Sequence, residues 1–148
     1  MTNAYLLTNH VEDYAFATLF AGVLDPGSGR LIYVNAGHNA PIVAGQGAIR
    51  ARLEPTGPAI GLLETSSFEL GEIHLRPGET LFTYTDGVIE ARNPEVEEFG
   101  LERLDALLVA HSDSAERALA AVEDALREFT AGAEAFDDVT MLALRRAD

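Results

Sequence analysis

The amino-acid sequence predicts an α+β fold in which strands come first, two helices follow and one more strand ends the chain. Short apolar runs separated by Gly- and Pro-containing turns fill residues 16–85. After Asn93-Pro94, leucines recur at spacings of three and four, and residues 139–144 return to an apolar, β-prone run. Because strands and helices are segregated along the chain, the pattern favours α+β over alternating βαβ units.

Six strands are predicted before Asp86. The clearest pair consists of two apolar runs on either side of the turn Asp25-Pro26-Gly27-Ser28-Gly29, a pattern typical of an antiparallel hairpin. Gly-containing segments at 45–47 and 76–79 mark two further turns. The predicted strands are 16–23, 31–34, 41–44, 48–53, 68–75 and 80–85.

Two helices are predicted from apolar residues that share one face. The second is predicted to begin with a capping box formed by Asp113 and Glu116 and to stop at Gly132. The final strand, 139–144, is expected to rejoin the main sheet. The apolar stripes are Leu101, Leu104, Leu107 and Leu108 in the first helix and Leu119, Val122, Leu126 and Phe129 in the second.

Length and composition limit the possible functions. A chain of 148 residues is typical of a single domain, here 1–148, and 47% hydrophobic residues suffice for a core. Ten Lys and Arg against 24 Asp and Glu give a net charge of −14, which disfavours binding to nucleic acid or to an anionic membrane. Neither a signal peptide nor a membrane span is predicted. The absence of Cys excludes disulfides, and the expected compartment is the cytoplasm.

Two acidic motifs lie at predicted strand ends. Asp86-Gly87 follows one strand, and Asp137-Asp138 precedes the last one. If these strands are neighbours, Asp86 and either Asp137 or Asp138 would converge and present hard oxygen ligands for Mg²⁺ or Mn²⁺, with Gly87 allowing close approach of an ion or phosphate. From spacing alone the structural interpretation is favoured, since Asp-Gly is a common turn and Asp-Asp suits a loop.

A second candidate site is the loop 35–41, which places His38 and Asn39 just beyond a strand. His38 suits a general base or a ligand. A histidine in a tight turn more often satisfies backbone groups, however, so a role in loop structure is favoured. The chain contains neither a Gly-x-Ser-x-Gly elbow nor a Gly-Lys-Ser/Thr phosphate loop, so neither of these chemistries is indicated.

Five motifs follow one another along the chain. They are Phe16-Ala17-Thr18-Leu19-Phe20-Ala21-Gly22-Val23-Leu24-Asp25, Tyr33-Val34-Asn35-Ala36-Gly37-His38-Asn39-Ala40-Pro41, Gly57-Pro58-Ala59-Ile60-Gly61-Leu62, Tyr84-Thr85-Asp86-Gly87-Val88-Ile89-Glu90-Ala91 and Asp137-Asp138-Val139-Thr140. With these motifs in this order, the sequence strongly resembles SpoIIE/RsbU-like phosphatases over about residues 16–145. These enzymes belong to the metal-dependent protein phosphatase family (PPM, or protein phosphatase 2C).

The resemblance implies an αββα sandwich of antiparallel sheets and a protein serine/threonine phosphatase with a two-ion Mg²⁺ or Mn²⁺ centre. It matches Asp86 and Asp137 to metal ligands and Asp138 to the neighbouring non-ligand position, and it leaves His38 in a structural role. No catalytic group is implied beyond the water that the two ions activate for attack on phosphoserine or phosphothreonine.

The resemblance also implies a substrate: a phosphorylated partner-switching regulator such as an anti-sigma-factor antagonist. The family's earlier segment, with its own Asp-Gly metal motif, has no counterpart in residues 1–14. We therefore expect an N-terminally truncated domain with an incomplete ligand set and exposed apolar sheet surface. Such a surface favours either self-association as a homo-oligomer or pairing with another chain. The alternative function is a catalytically incomplete module that binds a regulatory protein.

Overall fold

The computed structural model describes Asn3 and residues 16–63, 65–131 and 137–147. The strands are β1 (Leu19–Leu24), β2 (Arg30–Ala36), β3 (Ile42–Gly45), β4 (Ala48–Arg52), β5 (Gly71–His74), β6 (Thr80–Tyr84) and β7 (Met141–Arg145). The helices described are α1 (Asp86–Ile89), α2 (Gly100–His111) and α3 (Ala115–Thr130). Within the described residues, all pairs of these strands are antiparallel, and the strands form two sheets. The predicted α+β class with antiparallel sheets is confirmed.

The chain divides into two compact units. Unit 1 comprises Met1–Ala40 and Leu53–His74, and unit 2 comprises Pro41–Arg52 and Leu75–Asp148. Each unit contains one of the two sheets. The single domain over residues 1–148 stays a prediction.

Unit 1 contains the sheet with strand order β1-β2-β5. The predicted hairpin is confirmed: β1 and β2 pair from Leu19↔Ala36 to Leu24↔Leu31. The Asp25 side chain shapes the turn between them, since it accepts hydrogen bonds from the Gly27 amide at 3.0 Å and the Ser28 hydroxyl at 2.7 Å.

Two strand boundaries in unit 1 were wrongly predicted. The first strand starts at Leu19 and not at residue 16, because Ala17 exchanges backbone hydrogen bonds with Ile60 instead of pairing with β2. The fifth strand is limited to Gly71–His74, because the Glu69 amide donates to the carbonyl of Thr56. In both cases a backbone group that the apolar pattern predicts to be part of a strand forms its hydrogen bond with a loop residue instead.

Unit 2 contains the sheet with strand order β4-β3-β6-β7. The return of the final strand to a sheet is confirmed, since β7 pairs with β6 from Thr80↔Arg145 to Tyr84↔Met141. The C-terminal end of β6 therefore lies beside the N-terminal end of β7. This antiparallel register brings both acidic motifs to one edge of the sheet.

Helices α2 and α3 pack against this sheet through a buried apolar cluster. Leu104 and Leu108 from α2 and Val122 and Leu126 from α3 contribute to it together with Phe82 of β6. The helical periodicity is thus confirmed for the residues that face the sheet. None of the helices described is long and apolar enough to cross a membrane.

The helix ends differ from the prediction. The N-cap of α3 is Ser114 and not Asp113: its hydroxyl accepts a hydrogen bond from the Arg117 amide at 3.3 Å. Asp113 instead forms an ion pair with Arg117 at 2.6 Å. The helix ends at Thr130, and its C-cap residue Ala131 has a left-handed φ of 47°. The predicted stop at Gly132 lies outside the described residues. In the first turn of α2, Leu101 stays 41% exposed, because the core partners of that helix lie further along it.

An ion pair fixes strand β4 to the turn before β6. Arg50 donates through both Nε and Nη2 to the buried carboxylate of Glu79, which also accepts the Arg76 amide at 2.7 Å. Burial disfavours the charged carboxylate, but these hydrogen bonds outweigh it and hold the pKa of Glu79 below its ordinary value. The buried charge of Glu79 is therefore tolerated only because the carboxylate is paired and hydrogen-bonded.

Candidate functional site

The edge of unit 2 where β6 ends and β7 begins is held together by Thr85. Its hydroxyl donates to the carbonyl of Asp138 at 3.0 Å and accepts the Thr140 amide at 2.9 Å. Its own amide donates to the carbonyl of Thr140 at 3.0 Å. Thr85 occupies the N-cap position of α1, yet its side chain makes no capping bond there. The hydroxyl serves the connection between the strands instead.

Gly87 lies directly beneath the backbone of the second acidic motif. A Cβ atom added to Gly87 would stand 2.6 Å from the carbonyl oxygen of Asp138 and 3.5 Å from the carbonyl carbon of Asp137. The first of these distances is too short for any side chain. The glycine of the Asp-Gly motif is required here because the two motifs pack backbone to backbone.

The same contacts place Asp86 and Asp137 on neighbouring chain segments. The interpretation of Asp86-Gly87 as a turn after β6 is wrong, because Asp86 is the first residue of the four-residue helix α1. Each of the two carboxylates accepts the amide of the next residue, at 3.1 Å for Asp86 and at 2.7 Å for Asp137. These bonds orient both side chains.

The electrostatic character of this edge is negative. Asp86, Asp137 and Asp138 are all exposed. In the part of the chain that the structure describes, no Lys, Arg or His forms an ion pair with any of them. Three exposed carboxylates on two adjoining segments attract cations. Among the described residues, however, no group of three or more His, Asp or Glu side chains is arranged to hold an ion.

His38 and Asn39 lie in unit 1, in the loop after β2. The His38 amide donates to the side chain of buried Asn35 at 2.8 Å, and its Nδ1 atom is 3.1 Å from the Thr18 hydroxyl. Asn35 also donates to the carbonyl of Leu53 at 2.9 Å. Asn39 is partly buried in the same loop. His38 therefore has structural hydrogen-bond partners within its own unit.

Sequence reasoning missed Thr85 and Thr140 as residues of the site. The signal was present, because each threonine lies within two residues of an acidic motif. The partner of a hydroxyl beside a strand end could not be predicted, because the sequence alone does not show that β6 pairs with β7. Once the strands are neighbours, the Thr85 side chain links the two motifs.

Comparison with known proteins identifies the family. The family model described as stage II sporulation protein E (SpoIIE) matches residues 1–147. Protein IcfG of Synechocystis sp. is 40% identical over 146 residues, which cover 99% of this chain and 23% of that protein.

Two solved structures share the fold. The RsbU and RsbW domains of Rv1364c from Mycobacterium tuberculosis superpose with a TM-score of 0.70 at 28% identity, over 88% of this chain and 37% of that one. The SiaA-PP2C domain of Pseudomonas aeruginosa gives a TM-score of 0.66 at 25% identity, over 79% and 46%.

The chain spans less than half the length of each of these three proteins. Its antiparallel sheets and helices match PP2C-type phosphatase domains, and members of that family depend on metal ions. Because the family model covers nearly the whole sequence, the chain belongs to the SpoIIE family of PP2C-type phosphatases.

Proposed function

We propose that this chain contributes the Asp86 and Asp137 carboxylates to the metal centre of a protein serine/threonine phosphatase. The observation that carries the proposal is the Thr85 connection, which holds both acidic motifs at one edge of the unit 2 sheet. Membership of the SpoIIE family supports phosphatase chemistry. The exposure of both carboxylates supports access for an ion and a substrate.

The donor set suits Mg²⁺ or Mn²⁺. Both ions prefer carboxylate oxygen, and Mg²⁺ commonly takes one or two carboxylates while water and substrate phosphate supply its other ligands. The edge formed by Asp86 and Asp137 fits that pattern without a third acidic ligand from the described residues. A two-ion centre, which the family resemblance implies, needs ligands beyond these two.

The residues of this edge have distinct tasks in the proposed reaction. Bound divalent ions would activate a water nucleophile and offset the charge of the phosphoryl group. Thr85 and Gly87 position the two carboxylates through backbone contacts. The net charge of −14 would repel a phosphorylated substrate, so catalysis should require that the edge first be neutralised by cations.

The proposed substrate is phosphoserine or phosphothreonine on a partner-switching regulator, such as an anti-sigma-factor antagonist. The resemblance of the sequence motifs to SpoIIE/RsbU-like phosphatases implies this substrate class, and the chain is similar in fold to a structure that contains an RsbU domain. Self-association of the chain stays a prediction, which sedimentation velocity can test.

Hydrolysis of a phosphoserine peptide by the purified chain, with and without Mn²⁺, tests the proposal. We expect Mn²⁺-dependent turnover that falls at least about a hundredfold in Asp86→Asn and in Asp137→Asn, because each variant removes a charged ligand. Asp124→Asn is the matched control, since Asp124 is an exposed acid on α3 that pairs only at the surface with Arg127.

The assay also has a clear contrary outcome. Folding of each variant is checked by circular dichroism, so that loss of activity is not confused with unfolding. Turnover that persists at the wild-type level in both Asp86→Asn and Asp137→Asn would overturn the assignment of the ligands. A folded wild-type chain without any Mn²⁺-dependent turnover would instead favour a non-catalytic module.

A further inference from the structure

The segment 91–99 follows helix α1 in unit 2 and folds back on itself as a short hairpin. Its two ends are joined by the Phe99 amide, which donates to the carbonyl of Ala91 at 2.8 Å, and by an ion pair between Arg92 and Glu98 at 3.4 Å. Phe99 is buried in the apolar cluster of the unit. The base of the hairpin is therefore fixed to the fold.

Asn93 closes the tip of this hairpin. Its backbone amide donates to the carbonyl of Glu97 at 3.1 Å, and its carbonyl accepts the Val96 amide at 2.9 Å. Its side chain accepts the Glu97 amide at 2.8 Å and donates to the Glu97 carboxylate at 3.1 Å. These hydrogen bonds hold the tip, residues 94–96, in one conformation.

Val96 at the tip has a left-handed backbone. Its φ is 65°, a conformation that glycine adopts freely and that a β-branched residue adopts only under strain. Its side chain is 67% exposed, so packing against the described part of the chain offsets little of this strain. Glycine or asparagine would suit both this backbone and the surrounding water better. An exposed apolar side chain on a strained backbone is therefore explained by a contact outside the chain.

Val96 lies within reach of a protein bound at the proposed metal edge. Asp86 is the first residue of α1 and Ala91 follows that helix, so a rise of about 1.5 Å per residue puts roughly 8 Å between them. The hairpin adds at most about 10 Å from Ala91 to its tip, because an extended residue spans about 3.3 Å. An extended substrate peptide covers the combined distance of about 18 Å in five or six residues.

We propose that Val96 is a specificity-determining residue that contacts an apolar side chain of the phosphoprotein substrate, within about six residues of the phosphorylated one. The inference rests on the proposed function, because it takes the phosphoryl group to lie at the metal edge. The contact is apolar, since the Val96 side chain offers no hydrogen-bonding group. Because the tip is already fixed by its hydrogen bonds, little further ordering of Val96 opposes binding.

Two fluorescein-labelled phosphoserine peptides test the proposal. They are identical except at the positions three to six residues on each side of phosphoserine, where one carries Leu and the other Ser. With Mn²⁺, we expect the wild type to hydrolyse the Leu peptide with a kcat/KM at least about fivefold above that of the Ser peptide. Val96→Gly and Val96→Ser should bring this ratio close to one, mainly by raising KM for the Leu peptide.

The stability of Val96→Gly tests the strain separately. Glycine adopts a positive φ without a steric cost, so the midpoint of urea unfolding should rise although the preference for the Leu peptide is lost. A variant that is more stable and less selective cannot owe its loss of selectivity to unfolding. A lowered midpoint would overturn the argument from strain.

Val109→Ser is the matched control, because Val109 is an exposed valine with helical backbone on α2. It should keep the wild-type ratio of kcat/KM. The proposal is overturned if the wild type does not distinguish between the peptides or if the two Val96 variants keep its preference. It is also overturned if Val109→Ser loses the preference to the same extent.

The proposed function can fail independently of this inference. Hydrolysis of p-nitrophenyl phosphate by the wild type reports on the metal edge alone, because this compound has no peptide to reach Val96. If the folded wild type does not hydrolyse it with Mn²⁺, the proposed function fails and the labelled peptides stay intact. The ratio of their Kd values, measured by fluorescence anisotropy for the same variants, then decides for or against the contact with Val96 by the same criteria.

Discussion

Thr85 and Thr140 are joined by two hydrogen bonds. The Thr85 amide donates to the carbonyl of Thr140 at 3.0 Å, and the Thr140 amide donates to the hydroxyl of Thr85 at 2.9 Å. In the second bond the acceptor is a side-chain hydroxyl, where regular pairing of β6 with β7 would use a backbone carbonyl. This exchange occurs at the point where the pairing of the two strands ends. The freed hydroxyl hydrogen then reaches the carbonyl of Asp138. One threonine side chain thereby fixes the segment that carries Asp137.

Replacing Thr85 with Val should loosen this segment. The variant loses both side-chain hydrogen bonds and leaves the Thr140 amide without its acceptor, so the free energy of unfolding should fall by about 1–3 kcal/mol. Thr85→Ser keeps the hydroxyl and should retain most of that stability. Urea unfolding of both variants measures the difference. Equal stability of Thr85→Val and Thr85→Ser would show that the hydroxyl contributes nothing.

Gly87→Ala should displace the second acidic motif. The added methyl group meets the carbonyl oxygen of Asp138 at 2.6 Å, a distance that only a backbone shift can relieve. We expect weaker Mn²⁺ binding, measured by calorimetry. Gly27→Ala is the control, because the nearest atom to its added methyl is the Asp25 carboxylate oxygen at 3.4 Å. Wild-type Mn²⁺ affinity in Gly87→Ala would mean that the position of this backbone does not matter for the ion.

Glu79 should make stability depend on pH. Burial opposes its charge, but the bonds from Arg50 and from the Arg76 amide dominate, so the pKa of Glu79 in the folded state lies below its ordinary value of 4.5. The unfolded chain therefore takes up the proton more readily. The stability that Glu79 contributes is complete above about pH 4.5 and is lost as pH falls through the lowered pKa.

Thermal unfolding of the wild type and Glu79→Gln between pH 7 and pH 3 isolates this contribution. Glu79→Gln should be less stable by about 1–3 kcal/mol at pH 7 because it loses the ion pair with Arg50. The difference should shrink below pH 4.5. A difference that stays constant down to pH 3 would contradict the role assigned to the charge.

In unit 1, Gly71→Val should destabilise the sheet despite the higher strand propensity of Val. Gly71 and Tyr33 are register partners on β5 and β2, and the Tyr33 ring occupies the space that a Cβ atom on Gly71 would need. Displacing the ring exposes apolar surface, so the midpoint of urea unfolding should fall. A raised midpoint would show that the packing of the Tyr33 ring does not require glycine at position 71.

Much of the fold could be predicted from the sequence because its signals are local. The pattern that identifies each of these elements extends over about ten residues. This applies to the Asp25 turn, to the apolar runs of β6 and β7 and to the leucines of α2. The strand ends at Ala17 and Glu69 could not be predicted, because their backbone groups bond to Ile60 and Thr56, more than ten positions away. Local patterns carry no information about such competitors.

The candidate site was predicted in part for the same reason. Asp86 and Asp137 are visible as motifs, but their meeting depends on the pairing of β6 with β7, which spans more than fifty residues. The need for Gly87 and Thr85 follows only from that pairing.

Titration of the purified chain with Mn²⁺, followed by the electron paramagnetic resonance signal of the free ion, tests the central claim most directly. We expect the wild type and the Asp124→Asn control to bind Mn²⁺ with equal affinity. Asp86→Asn and Asp137→Asn should each bind Mn²⁺ at least about tenfold more weakly than the wild type. Asp138→Asn should lose less Mn²⁺ affinity than Asp137→Asn. Wild-type affinity in both Asp86→Asn and Asp137→Asn would contradict the claim that these two carboxylates hold the metal.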